Sequence, residues 1–193
     1  MSLPLDVLSS TPLPDEFYGA RNSNRINNRL DFEDGGIGLH DPSEGLHYQT
    51  WWGWIQDDGV YIAAANWPIT QILEATLVNE ISFTFDQNCN VCLAYVQEGI
   101  PKLLWYDTTV EAMVTKTLDT SIINPRVSLD DKREEARDYN DIILAYLRNN
   151  KLCYRQQRDR FNIEYILIEG VGGRLNKIGM GRGLRMQFQI CKV

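Results

Sequence analysis

The chain has 193 residues, 44% of them hydrophobic, with 19 Lys and Arg against 26 Asp and Glu and a formal net charge of -7. This length suffices for one ordinary domain whose core forms without disulfides or a metal. The acidic balance argues against sequence-independent nucleic-acid binding, which depends on clustered Lys and Arg. No apolar run approaches the roughly 20 residues of a membrane-spanning helix, and the N-terminus, MSLPLDVLSS, lacks the cationic start of a secretion signal. We therefore expect a protein made in the cytosol.

Residues 1–45 are predicted to form an irregular arm. They contain four of the seven prolines and a Gly-Gly pair, which interrupt regular elements. Arg21, Arg25 and Arg29 recur at helical spacing, but the Asn and Ser residues between them are weak helix formers. We predict that this arm wraps a neighbouring subunit or the body of its own domain, with the three arginines as interface candidates.

Residues 46–193 are predicted to form an all-β domain. Short runs rich in Val, Ile, Tyr, Phe and Trp recur between turn-forming residues, as is typical of antiparallel strands. The predicted strands are 52–56, 60–65, 80–85, 91–96, 102–106, 111–117, 126–129, 141–147, 152–156, 162–168, 175–179 and 184–190. A compact turn ending at Gly59 and a tight turn at Asn149-Asn150 are expected to close hairpins, since Asn tolerates positive φ.

An internal repeat links about 80–118 to 126–168. Leu-Ala-Tyr at 93–95 recurs at 144–146, an interval of 51 residues, and a turn two residues shorter in the second copy aligns 102–105 with 151–154. Antiparallel units of about 50 residues are typical of β-propeller blades. Too few units are present to close a propeller, so we predict incomplete blades with open edges that invite partners. An ordinary β-sandwich is the alternative.

The cysteines predict neither a metal nor a redox site. Cys89 and Cys92 have CxxC spacing, but a structural zinc needs four ligands and no histidine is near in sequence. In the repeat alignment Cys92 takes the place of Ile143, and Cys153 takes the place of Leu104. We predict that these cysteines are small buried hydrophobic residues and that the protein has no cofactor.

No catalytic constellation is recognisable. The two histidines, His40 and His47, lie near no nucleophile or metalloprotease motif, and the glycine-rich segment from Gly170 matches no phosphate-binding motif. A glycosidase pair would come from carboxylates at strand ends. These candidates are Asp86, Asp107, Asp130 and Asp131. Because such residues usually serve turns, we expect a protein that is not an enzyme.

Aromatic residues are the most informative candidates for a binding surface. Trp51, Trp52 and Trp54 lie in one stretch of the sequence, with Trp67 nearby, and strict alternation would place Trp51 opposite the other two. Apolar side chains on both faces of the strand therefore need to be buried against other residues. The first interpretation is a doubly buried core strand, followed by a subunit interface and then by a sugar-stacking platform.

Charge is distributed unevenly along the chain. Residues 1–60 hold ten Asp or Glu against three Arg, whereas residues 170–193 hold basic residues, among them Arg182 and Arg185, without one acidic residue. Differently solvated faces explain such a pattern, and so does head-to-tail packing of identical subunits. The two arginines are therefore interface candidates.

Several segments of the chain together form a recognisable pattern. They are the opening LPLDVLSS, the segment FYGARNSNRINNRLDFEDGGIGLHDPSEGL, the two Leu-Ala-Tyr hairpins and NPRVSLDDKREEARDYNDIILAYLRNNKLCYRQQRDRFNIEYIL. These segments resemble small virion proteins of tailed bacteriophages. The resemblance covers most of the chain and lies in overall pattern rather than in a catalytic signature. It implies a structural protein of the phage tail or head-proximal collar, repeated around the tail axis and in contact with adaptor, nozzle or fibre proteins. It assigns no role to any numbered residue.

The leading hypothesis is a non-enzymatic virion component of the tail or collar, made in the host cytoplasm. It predicts contacts with copies of itself and with other tail proteins, without nucleic-acid binding or a membrane span. The first alternative is a carbohydrate-binding module that attaches to host polysaccharide, motivated by the tryptophans. The second alternative is a fragment of a glycoside hydrolase.

Overall fold

The computed structural model describes residues 40–41, 45–46, 51–64, 67–86, 90–130, 141–180 and 186–191. The strands in these ranges are β1 (His40–Asp41), β2 (Gly45–Leu46), β3 (Trp51–Gln56), β4 (Gly59–Ala64), β5 (Trp67–Glu74), β6 (Val78–Phe85), β7 (Val91–Gln97), β8 (Ile100–Asp107), β9 (Ala112–Thr117), β10 (Ile123–Leu129), β11 (Ile142–Arg148), β12 (Lys151–Gln156), β13 (Tyr165–Glu169), β14 (Arg174–Met180) and β15 (Met186–Cys191). A 3₁₀ turn, Gln157–Asp159, follows β12.

The fold is all-β and antiparallel, which confirms the predicted fold class. Strands that follow one another in sequence are also neighbours in the sheets, which have the orders β3-β4-β5, β6-β7-β8-β9 and β10-β11-β12-β13. Two further pairs, β1-β2 and β14-β15, are hairpins. Short turns suffice to connect strands in this order.

The sheets contact one another through their first strands. β3 lies against β6, β6 against β10, and β10 against β14. Strands β7 and β11 are largely buried, whereas the outer strands β9 and β13 are exposed along most of their length. Blades of a propeller are arranged radially in this manner, with their first strands innermost.

Strand β11 of the second four-stranded sheet is buried on both faces. Along β11, Leu144 and Tyr146 belong to the larger core, while Ile143, Ala145 and Leu147 belong to a smaller core beside β14. Side chains alternate between the faces of a strand, so neighbouring residues enter different cores. Sheets packed in series thus differ from the two-sheet sandwich that the sequence left as an alternative.

The central hairpins of the two four-stranded sheets have the same register at an interval of 51 residues. Leu93 pairs with Leu104, and Leu144 pairs with Arg155, so both members of the pair are displaced by the same interval. The expected shorter turn in the second copy is therefore wrong. Cys153 consequently does not take the place of Leu104.

Each central hairpin closes with a two-residue turn. Asn149 and Asn150 have φ values of 50° and 58°, which confirms the predicted tight hairpin, and Glu98 and Gly99 have φ values of 52° and 76°. Positive φ at both turn residues matches the right-handed twist of the flanking strands. The two turns therefore have equal length and differ only in residue type.

A buried tyrosine occupies the same place in each sheet. Tyr95 on β7 bonds to Thr115 on the outer strand β9. Tyr146 on β11 donates to Glu164, 2.5 Å away, just before β13, and accepts from Arg155 at 2.8 Å. Burial raises the pKa of both tyrosines. In each sheet the hydroxyl thus ties a central strand to the outer edge.

An aspartate closes the first loop of each sheet in the same way. Asp86 follows β6 and accepts from the backbone N–H of Asn90 at 2.8 Å, and Asp130 follows β10 and accepts from the backbone N–H of Asp141 at 2.7 Å. The backbone N–H groups of the two aspartates bond back to the carbonyls of the same partners. Asp residues favour such local bonds at turns.

A buried ion pair joins the first strands of consecutive sheets. Arg126 on β10 is 1% exposed, and its guanidinium lies 2.7 Å from the carboxylate of Glu80 on β6. The same guanidinium donates to the carbonyl of Asn176 on β14 at 3.0 Å, and Arg174 lies 3.9 Å from Glu80. The network therefore fixes three sheets relative to one another.

Strand β5 was not predicted from the sequence. Pro68 is its second residue, and its apolar residues Ile69, Ile72 and Leu73 do not alternate. Proline lacks a backbone donor and is tolerated near the start of an edge strand. β5 lies at an edge of its three-stranded sheet, so the position of Pro68 is consistent with a strand.

Gly59 closes the predicted hairpin for a different reason than expected. Gln56 pairs with Gly59 across the turn Asp57-Asp58, and Gly59 is itself the first residue of β4. A Cβ at this position would lie 2.1 Å from the carbonyl oxygen of Leu73 on β5. Glycine is thus required by the close approach of the neighbouring strand.

Candidate functional site

Trp51 and Trp54 lie in the core of the chain. Each is 4% exposed. The Trp51 ring lies 5.0 Å from Phe85, and the Trp54 ring stacks on Tyr61 at 6.1 Å between centroids. Neither indole face is open to solvent within the single chain, so these two residues do not form a sugar-stacking surface on it.

The structure does not describe the side chains of the other residues proposed from the sequence. Trp52 lies in β3 and Trp67 in β5, but their side chains are not among the described ones. The arginine candidates outside the described residues are Arg21, Arg25, Arg29, Arg182 and Arg185.

The described cysteines carry no disulfide. Cys92 and Cys153 are buried, whereas Cys191 is exposed. Burial raises the pKa of the Cys92 thiol well above its ordinary value, and it also raises that of Cys153, which disfavours the reactive thiolate. Among the described residues, no group of three or more His, Cys, Asp or Glu is placed to hold a metal ion; Cys89 is not one of these residues.

The most distinctive polar feature is a cleft of about 290 Å³ between the two four-stranded sheets. The loops at the end of β8 and after β12 form its walls. Its lining residues are Asp86, Trp105, Tyr106, Asp107, Thr108, Thr109, Asp141, Gln157, Arg158 and Arg160. The cleft therefore combines buried carboxylates with arginines whose side chains are about half exposed.

Asp107 and Arg160 form a close ion pair on one wall of the cleft. The Nε and Nη2 atoms of Arg160 donate to Oδ2 of Asp107 at 2.9 and 2.6 Å. The backbone N–H of Thr109 donates to the other carboxylate oxygen at 2.9 Å. This backbone bond and the guanidinium hold the pKa of Asp107 below its ordinary value, although burial opposes them.

An unusual backbone conformation presents Arg160 to the cleft. Arg160 and Phe161 have φ values of 51° and 54°, in the left-handed region that L residues seldom adopt. Phe161 is fully buried and packs edge-on against Trp105 at 5.3 Å. The Nζ atom of Lys116 donates to the carbonyls of Arg160 and Phe161 at 3.2 and 3.1 Å. Packing and these bonds stabilise the strained turn.

Asp141 and Arg158 form a second ion pair in the cleft. Nε of Arg158 donates to Oδ2 of Asp141 at 2.6 Å, and the Arg158 backbone N–H also donates to this carboxylate. Asp130 lies 3.9 Å from the Arg158 guanidinium. Burial outweighs these interactions and raises the pKa of Asp141. Asp107 and Asp141 therefore line one cleft with pKa values displaced in opposite directions.

Two of the four carboxylates proposed from the sequence line the cleft. These are Asp86 and Asp107. Asp130 does not line the cleft but lies 3.9 Å from the Arg158 guanidinium. Asp131 is outside the described residues. Sequence analysis missed Asp141 as well as the two arginines, because no short motif joins residues that lie up to 53 positions apart.

The second feature is the apolar outer strand β13, which we call the β13 surface. Ile166, Leu167 and Ile168 are 52%, 43% and 52% exposed, and Ile163 just before the strand is 49% exposed. The pairing with β12 has a bulge at this point, where Leu152 pairs with Ile168 and Cys153 with Ile166. In the described part of the chain, β12 is the one sheet neighbour of β13.

Comparisons with protein-family models, curated proteins and solved structures find no match. Among the described residues, no helix has the length and apolarity needed to cross a membrane.

Proposed function

We propose that this chain is a non-enzymatic structural component of a bacteriophage virion, located in the tail or head-tail region. It assembles with copies of itself and with neighbouring tail proteins. The resemblance of its sequence to small virion proteins supports the class. In the described part of the chain, outer strands such as β13 have a sheet neighbour on one side only. This supports a role in assembly, because an open edge presents backbone donors and acceptors to another chain.

The β13 surface is the observation that carries this proposal. Three successive aliphatic residues at a sheet edge, Ile166, Leu167 and Ile168, are each at least 43% exposed. Exposed apolar edges promote pairing with other chains, and proteins usually protect them with charged residues or proline. An edge of this kind is better suited to a protein that is covered in an assembly than to an isolated monomer.

Mass spectrometry of gradient-purified virions tests the proposal directly. Particles produced from the genome that encodes the chain should contain its peptides at a stoichiometry matching the tail symmetry. A soluble enzyme from the same genome serves as the negative control. Complete infectious particles without these peptides would contradict the proposal.

A truncation tests the role assigned to the N-terminal arm. A protein that lacks residues 1–45 should fail to enter particles, while its circular dichroism and urea unfolding midpoint stay close to those of the full chain. The full-length protein, supplied in the same way, is the matched control. Normal incorporation of the folded truncated protein would show that the arm is dispensable.

Carbohydrate binding for host attachment is a second candidate, favoured by the composition of the cleft. Tyr106 lines the cleft together with the ion pair of Asp107 and Arg160, whereas Trp105 is 6% exposed and packs against Phe161. A phenol ring, carboxylates and guanidinium groups are suited to sugar rings and their hydroxyl groups. The cleft replaces Trp51 and Trp54 as the described location for this function, because both of those indoles are buried.

Binding of host polysaccharide to cleft variants tests the second candidate. Tyr106→Ala and Arg160→Ala should each weaken binding, whereas Thr117→Ala on the outer strand β9, opposite Lys102 and outside the cleft, should leave it unchanged. Absence of binding by the wild-type protein, or equal binding by all variants, would eliminate the cleft as a glycan site. Release of reducing sugars by the wild-type protein would instead favour the glycoside hydrolase alternative.

A further inference from the structure

We propose that β13 pairs with β13 of a second copy of this chain, antiparallel and about a two-fold axis through Leu167. The two four-stranded sheets then become one continuous eight-stranded sheet. This inference rests on the proposed role in assembly and names the partner of the β13 surface. It is argued from the residue pattern of the strand and from the contrast with the outer strand of the other sheet.

The contrast with β9 indicates that the two edges are exposed to different surroundings. β9 ends in Thr115, Lys116 and Thr117. Because the Lys116 ammonium is bonded to the carbonyls of Arg160 and Phe161, the exposed residues at this end of the edge are the two polar threonines. β13 has no basic residue, and its centre is the aliphatic Ile-Leu-Ile sequence. The same position in two sheets of equal topology is therefore polar in one sheet and aliphatic in the other.

The pattern of β13 is self-complementary in one register. With Leu167 on the axis, Ile166 faces Ile168 of the second copy, and Tyr165 faces Glu169. Apolar side chains then meet across the strands, which stabilises antiparallel pairs.

Charge disfavours the neighbouring registers. Moving the axis by half a residue toward the N-terminus places Glu164 directly opposite Glu169, and like charges in direct opposition are destabilising. Moving it by the same amount toward the C-terminus places Glu169 opposite Ile166. In the Leu167 register the two Glu169 side chains are about 13 Å apart along the strands, and each lies 2.6 Å from Lys151 of its own chain.

Cysteine cross-linking tests both the pairing and the register. The background variant is Cys89→Ser/Cys191→Ser, which removes the exposed thiol of Cys191 and the thiol of Cys89, which lies outside the described residues. Leu167→Cys should form disulfide-linked dimers, because residues directly opposite in an antiparallel pair have Cα atoms about 4.5–5.5 Å apart. Ile166→Cys alone should not, because two copies of this residue are then about 8 Å apart. A mixture of Ile166→Cys with Ile168→Cys should cross-link. Equal cross-linking by all variants would overturn the register. Absence of cross-linking by Leu167→Cys would overturn the pairing.

Sedimentation of matched lysine variants tests the pairing without cross-links. Ile166→Lys should raise the dissociation constant of the dimer by about tenfold or more, because it buries a charge at the apolar centre of the pair. Val110→Lys is the control, since Val110 is an exposed aliphatic residue like Ile166 but lies in the turn between β8 and β9. Both variants should unfold at the same urea concentration as the wild-type protein. Equal association of the two variants would reject the interface.

The two proposals fail in distinguishable ways. Virions that contain the chain, combined with absence of Leu167→Cys dimers in those virions and in solution, would reject the two-fold pairing and leave the structural role intact. Specific Leu167→Cys dimers, combined with virions that lack the chain, would reject the virion role and leave the pairing intact.

Discussion

The two four-stranded sheets, β6–β9 and β10–β13, share a framework and differ at their outer edges. Both have consecutive strand order, a two-residue central turn, a buried tyrosine bonded toward the outer strand and an aspartate that closes the first loop. The outer strand β9 ends in Thr115, Lys116 and Thr117, whereas β13 exposes three aliphatic residues. The shared features are those that fold a sheet, and the features that differ are those that contact other elements or other chains.

A second difference lies at the first strands. Ser82 on β6 pairs with Ala94, and Arg126 on β10 pairs with Ala145, so the serine and the arginine occupy matched positions. Oγ of Ser82 accepts from the backbone N–H of Val127 at 3.0 Å. The serine thus makes one bond to the next sheet, while the arginine connects sheets on both of its sides.

The largest expected effect comes from breaking this junction. Arg126→Ala should lower the free energy of unfolding by about 3–5 kcal/mol, because it leaves the Glu80 carboxylate without its closest cation in a largely buried site. Ser82→Ala should cost about 1–2 kcal/mol, because it leaves one backbone N–H without its acceptor. Urea unfolding of both variants measures the difference.

A double variant separates the charge effect from the loss of packing. Arg126→Met combined with Glu80→Met should recover much of the stability lost in Arg126→Ala, since apolar replacement of a buried ion pair is often close to neutral. A double variant that is less stable than Arg126→Ala would contradict this account.

The matched tyrosines give the next largest effect. Tyr146→Phe should lower the free energy of unfolding by about 1–3 kcal/mol, because its hydroxyl bonds to the charged groups of Glu164 and Arg155. Tyr95→Phe should cost about 0.5–1.5 kcal/mol, because its partner Thr115 is neutral. Urea unfolding of both variants measures these losses of stability. A larger loss for Tyr95→Phe than for Tyr146→Phe would contradict the stronger hydrogen bonds assigned to Tyr146.

The aspartates of the cleft should give opposite pH dependences. The folded pKa of Asp107 is lowered, so its ionisation stabilises the fold above the unfolded pKa of about 4, and this contribution is lost as the pH falls through the lower folded value. The folded pKa of Asp141 is raised, so its contribution is present below about pH 4 and is lost as the pH rises through the folded value.

Urea midpoints measured from acidic to neutral pH test these signs. Asp107→Asn should lose less stability than the wild-type protein on acidification. Asp141→Asn should gain stability relative to the wild-type protein as the pH rises toward neutral. Parallel pH profiles for all three proteins would show that neither carboxylate has a displaced pKa.

Local chemistry made much of the framework predictable. Alternating apolar runs predicted the strands, and the positive φ tolerated by Asn149 and Asn150 predicted their turn. The 51-residue interval was visible from the Leu-Ala-Tyr repeat, but the shared Lys-Leu pair at 102–103 and 151–152 led to a false two-residue shift. Backbone pairing fixes the register, and side-chain identity at a few positions does not.

The cleft could not be predicted because it forms where distant segments meet. Asp107 ends a strand of the first sheet, while Arg160 follows a strand of the second, and neither position carries a motif. Their contact depends on how the two sheets pack and on the left-handed turn at Arg160 and Phe161. For a non-glycine pair, such a turn is fixed by tertiary packing rather than by local propensity.

The smallest expected effect distinguishes the two central turns. Glu98 has a φ of 52°, where asparagine is better tolerated than glutamate, and it corresponds to Asn149 in the second sheet. Glu98→Asn should therefore raise the free energy of unfolding by about 0.5 kcal/mol, and Asn149→Glu should lower it by about the same amount. Urea unfolding of the two single variants and of the double exchange measures both effects. Because the turns have equal length and matched backbone conformation, the double exchange should restore wild-type stability, and an unbalanced result would show that surrounding side chains distinguish the turns.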